Sequence, residues 1–105
     1  MKNSNNIEKI TIENIYDFFV DAIKISILSD KMKNKIDNTV DYITKYSKGT
    51  YDYSDLLNFL FKVREQVLAI INSKKPNFFE NEFHKLNYFL VVIKSEFAKH
   101  FKKGM

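Results

Sequence analysis

The feature that most constrains this chain is an apolar series near its C-terminus: Phe79, Phe83, Leu86, Leu90, Ile93, Phe97 and Phe101. Steps of three and four residues keep side chains on one stripe of a helix, which turns once in about 3.6 residues. The series therefore predicts a helix over most of Pro76 to Gly104. Such a helix gains its stability in water by burying the stripe, so the residues before it must build the surface it lies on.

Those residues read as three more helices. Two glycines and one proline in 105 residues leave little turn material for a β-rich fold. Residues 1 to 9 are polar and aperiodic, the pattern of a frayed arm. Thr11 is a cap for a first helix to about Leu28, with Ile12, Ile15, Tyr16, Phe19, Ala22 and Ile23 on one face. Phe18, Val20 and Ile25 broaden that face, which predicts cover from more than one side or an exposed part for a partner. Ser29 caps a second helix to about Ser47. Its stripe of Met32, Ile36, Val40 and Ile43 is narrow, and Lys31, Lys33, Lys35, Asp37, Asp41 and Lys45 crowd the rest, as on an outer helix.

Gly49 is the stop for that helix. Asp52 or Ser54 caps a third helix from about Asp55 to Asn72, whose core face holds Leu56, Leu57, Leu60, Val63, Val67, Leu68, Ile70 and Ile71. Ser73 to Asn77 forms the next turn, and Asn77 with Glu80 has the spacing of a capping box for the last helix. Short loops make consecutive helices antiparallel neighbours by default. The expected fold is all-α, an antiparallel up-down four-helix bundle forming one domain over residues 1–105.

Several classes of function fall away. No cysteine is present, so disulfides and thiolate metal sites are excluded, which suits the cytoplasm. The longest apolar run, Phe89 to Ile93, is far short of the roughly 20 residues that cross a bilayer, and the N-terminus has no apolar core to act as a signal. A soluble cytoplasmic protein is expected. Neither a nucleophile beside a base nor a glycine-rich phosphate loop appears, so no enzyme and no cofactor is expected. Glu80 and His84 lie one turn apart, but with only His100 besides, no second pair completes a metal site.

Net charge is +4, and the excess lies late: residues 1–53 carry eight basic and eight acidic side chains, residues 54–105 nine and five. Lys94, Lys99, His100, Lys102 and Lys103, interleaved with Phe97 and Phe101, have the composition to meet phosphates of a nucleic acid or an anionic membrane. They equally match a solvated face and the preference for positive charge at a helix C-terminus. Beside them, Phe78, Phe89 and Val92 form an apolar flank outside the main stripe. That flank with Lys94, Lys99, Lys102 and Lys103, and the aromatic group Tyr46, Tyr51 and Tyr53, are the candidate partner-binding residues.

Arg64, the only arginine, falls between Leu60, Val67 and Ile71 on an apolar face. A guanidinium stays charged and needs a partner or water there. Folding the last two helices about Lys75 brings it near Glu82, giving a structural ion pair Arg64–Glu82; the alternative is a head that snorkels to solvent.

The stretch Tyr53-Ser54-Asp55-Leu56-Leu57-Asn58-Phe59-Leu60, followed by a lysine-containing turn and an Asn-capped amphipathic final helix, resembles the small immunity proteins that protect producers of class IIa bacteriocins. The likeness spans residues 29 to 100 in pattern. It implies a cytoplasmic, non-enzymatic bundle, peripheral to the inner face of the membrane, that recognises a bacteriocin-bound receptor through its C-terminal half. The chain ends almost where its last helix does, unlike family members with an extra C-terminal tail. Two other readings remain open: a helical nucleic-acid-binding protein, such as the small subunit of an RNA-guided complex, and a phage or defence-system inhibitor.

Overall fold

The computed structural model describes residues 9–103, with the side chains of Lys102 and Lys103 left out; the N-terminal arm lies almost wholly outside them. Four helices form: α1 (Ile12–Ile23), α2 (Asp30–Tyr46), α3 (Tyr53–Asn72) and α4 (Glu82–Lys103). They make an all-helical bundle in which consecutive helices alternate in direction.

Local chemistry explains most of the boundaries. At the start of α1 the Thr11 N–H donates to Asn14 Oδ1 at 2.9 Å. Ser29 Oγ accepts the Met32 N–H at 3.2 Å, and Asp52 Oδ1 accepts the Asp55 N–H at 2.8 Å while Asp55 accepts the Asp52 N–H at 3.2 Å. Asp52, rather than Ser54, is therefore the cap of α3, in a reciprocal capping box. Gly49, at φ 78°, follows α2 as the stop, its N–H returning to Thr44 O at 2.9 Å.

Two boundaries differ from the sequence reading. α1 ends at Ile23, not Leu28, because Lys24 takes a left-handed conformation (φ 57°) and the Ile25 N–H closes on Val20 O at 3.0 Å. The turn drives Ile25 into the core, where it is 6% exposed. α4 starts at Glu82, not near Asn77. Residues 76–81 form turns, and Asn81 Oδ1 caps the helix by accepting the His84 N–H at 2.8 Å. Phe79 therefore packs from the turn, not from the helix.

The core draws on every helix: Ile15 and Phe19 of α1, Ile36 and Ile43 of α2, Leu60 and Val63 of α3, and Leu86, Phe89, Ile93 and Phe97 of α4 are all buried. The helices do not pack in chain order. The close pairs are α2 with α4, α3 with α4, and α1 with α3, with a lesser α1–α4 contact. Tyr46 meets Phe97 and Phe101 at the ends of α2 and α4, and Lys31 sits over Phe83 at their starts, so these two helices run in the same direction. α1 and α3 do likewise, since Phe18 meets Phe61 and Asp21 meets Arg64. α4 thus touches all three other helices, and α1 and α2 face each other across the least closely packed edge.

Candidate functional site

The flank proposed for α4 does not exist as a surface. Phe89 is 0% exposed, its ring held edge-on by Phe19 at 5.5 Å and Phe18 at 6.4 Å. The reason is the wide buried arc of α4: with three helices around it, residues beside the main stripe are covered too. Val92 is half-buried. Phe78 is exposed but stands in the α3–α4 turn, against Phe79 at 4.9 Å with Lys74 Nζ 5.3 Å from its ring.

The basic run is also partly absorbed by the fold. Lys94 lies over the Tyr42 ring at 5.4 Å, and Lys99 reaches buried Glu96 at 3.5 Å. Gln66 Nε2 donates to the same carboxylate at 3.1 Å. His100 meets the edge of Phe59 at 5.4 Å, and His84 Nδ1 accepts the Glu80 N–H at 3.2 Å. Among the described residues no three His, Cys, Asp or Glu side chains converge as metal ligands would. Lys102 and Lys103 lie outside the described side chains.

The Arg64–Glu82 ion pair does not form. Gln66 lies beside Glu96, so the α3–α4 register carries Arg64 far along α4 from Glu82. The guanidinium instead leans outward to Asp21 of α1 at 3.7 Å and to Glu65 at 3.4 Å. With both carboxylates well exposed, these contacts contribute no more than about 1 kcal/mol. Glu82 clamps the loop after α1, accepting the Ser26 hydroxyl at 2.7 Å and the Ser26 N–H at 3.0 Å. Those two bonds hold its carboxyl below the usual range, so the clamp is complete above the ordinary value of 4.5 and weakens as pH falls through the lowered one.

The tyrosine group divides. Tyr46 packs edge-on against Phe97 and Phe101, at 5.8 and 5.6 Å, half-buried against the core. Tyr51 packs against Phe97 at 5.1 Å and Phe101 at 6.3 Å and lines part of an open cleft, where Tyr53 stands 41% exposed. This cleft, of about 610 Å³, lies where α1 and α2 separate and the first turn of α3 reaches between them. Ile12, Val40, Ile43 and Leu56 give it an apolar floor, and Tyr16, Tyr51 and Tyr53 give it walls. Asp37, Asp41, Asp52 and Thr44 supply its polar lining.

Tyr16 ties the two sides together, its hydroxyl donating to Asp37 Oδ1 at 2.6 Å. That bond, with burial adding to it, pushes the phenol up to about 12. The sequence reading placed Tyr16 and Val40 on core stripes and Asp37 and Asp41 on a solvated face. The visible signal was their adjacency at the edge of the α2 stripe, Asp37 and Asp41 flanking Val40 at three residues and one.

Compared with known proteins, the chain matches no family model, no curated protein and no solved structure. What the fold and the cleft define is a small four-helix protein with an aromatic, acid-lined groove at its open edge.

Proposed function

We propose that this chain is a non-enzymatic protein-binding module that confers immunity to a bacteriocin, acting at the inner face of the membrane, with the α1–α2 cleft as its contact surface. The observation that carries the reading is Tyr53 and Tyr51 turned into an open groove with an apolar floor. Tyrosine offers a large amphipathic contact area, and such grooves are where helical proteins take partner side chains. The small all-helical fold and the Tyr53 to Leu60 pattern are what the likeness to immunity proteins leads one to expect. The same stretch that carries the likeness opens α3 and lines the cleft.

The test starts from the neighbouring genes. An immunity gene lies beside one for a short peptide precursor, and that peptide should kill sensitive cells but spare those expressing this chain. Tyr53→Ala should reduce protection at unchanged protein abundance. Equal killing with and without the chain would remove the immunity assignment, and full protection by Tyr53→Ala would move the contact surface elsewhere.

A further inference from the structure

We infer that the cleft takes a cationic amphipathic segment of its partner, docking apolar anchors on the floor and lysine or arginine side chains on the aspartate rim; the inference rests on the cleft being the contact surface. Three observations converge. The first is shape: along α2 the groove runs from Asp37 to Thr44, about 10 Å at helical rise, which suits two turns of a docked helix and two or three inserted side chains.

The second is the apolar floor. Ile43 and Leu56 are buried at its base, and the half-buried Ile12 and Val40 above them keep apolar surface open to the groove. An amphipathic helix laid there completes the bundle as a fifth member, the helix-in-groove mode of recognition.

The third is charge. The chain as a whole is positive, at +4, yet among the described residues the lining holds Asp37, Asp41 and Asp52 and no basic side chain. Lys45 pairs with Asp41 at 3.0 Å and Lys33 stands 5.8 Å from the Tyr16 ring, so Asp37 and Asp52 are the lining carboxylates that, among the described residues, have no ion-pair partner. Asp37 accepts the Tyr16 hydroxyl and Asp52 caps α3 by accepting the Asp55 N–H, and neither donor brings a positive charge to the rim. Since charges on an exposed surface are screened within about 8–10 Å at ordinary salt, a local acidic rim attracts a cation that the net charge repels at long range. The tyrosine faces add a surface on which a lysine or arginine head can rest.

The experiment uses two synthetic helical peptides with the same leucine face, one bearing lysines and the other glutamates on its polar side. Each carries a single tryptophan, whose fluorescence stands out because the protein has no tryptophan. The lysine peptide should bind, shift the amide resonances of Val40, Thr44 and Tyr53, and weaken with added salt; the glutamate peptide should not bind. Asp37→Asn, Asp41→Asn and Asp52→Asn should each lower affinity about two- to fivefold, the range of single exposed ion pairs. Asparagine still accepts the Tyr16 hydroxyl at position 37 and still caps at position 52, so these variants lose charge and keep the fold; an unchanged melting temperature checks this for each of them.

Equal binding of both peptides at the cleft would overturn the charge inference while leaving the groove as a contact surface. Binding of the lysine peptide elsewhere would overturn the inference and count against the groove itself, as would no binding at all by either peptide. Self-association of the protein, with the lysine-bearing end of α4 of a second copy seated in the cleft, would replace the peptide as occupant and show as a concentration-dependent mass.

Discussion

At the scale of single residues, the most consequential side chain is Phe89. It sits at 0% exposure between the α1 rings, so truncation removes a large buried ring and leaves a cavity. Phe89→Ala should cost about 3–5 kcal/mol, a large share of the roughly 5–15 kcal/mol that holds a domain of this size together. Phe78→Ala, at an exposed ring in a turn, should cost under about 1 kcal/mol; chemical denaturation of the two variants checks both. Tyr16 supplies a pH signature. Its phenol is raised, so its hydrogen bond to Asp37 contributes fully below the ordinary value of 10.0 and is lost as pH climbs through about 12. A tyrosinate absorbance titration should show one late-ionising group, absent in Tyr16→Phe and shifted earlier in Asp37→Asn. Three tyrosines were legible as a group only by proximity in the chain; the structure packs half-buried Tyr46 against α4 and turns Tyr53 to the cleft because rotation about each helix axis, not position, sets what a ring faces.

At the scale of elements, the helices themselves were the most legible part. Periodicity and caps are short-range properties, and Thr11, Ser29 and Asp52 act as the caps the sequence offers. The failures are at ends where a distant contact competes. α1 stops early because burying Ile25 and binding Ser26 to Glu82 outweigh one more turn. α4 begins late because Pro76, Asn77 and Phe78 are drawn into a turn, with the Phe78 N–H on Lys75 O at 2.9 Å. The cap is Asn81, so Asn81→Ala should lower stability by about 0.5–2 kcal/mol while Asn77→Ala should leave it within a few tenths, measured by thermal melting. An equal loss at the two positions would contradict this assignment.

At the scale of the whole molecule, α4 is the shared wall of the bundle, and it should open last. Hydrogen exchange in the native state should find the slowest amides between Leu86 and Phe97, with α2, whose outer face is solvated, exchanging sooner. Slowest exchange in α1 or α2 would show that the bundle does not depend on α4. The loose α1–α2 edge follows from the same arrangement, because α4 and α3 take the close contacts and leave these two helices joined chiefly by Tyr16 and Asp37. By itself the sequence determined the helical class, the number of helices, three of the caps and the apolar stripe of α4, all of which depend on residues within a few turns of one another. Only the tertiary structure decided which helices became neighbours, that Phe89 is core, that Arg64 turns to Asp21, and that an aspartate-rimmed cleft stays open. Those outcomes depend on how rigid helices far apart in the chain rotate and slide until their apolar surfaces are covered, and spacing along one helix carries no record of what covers it.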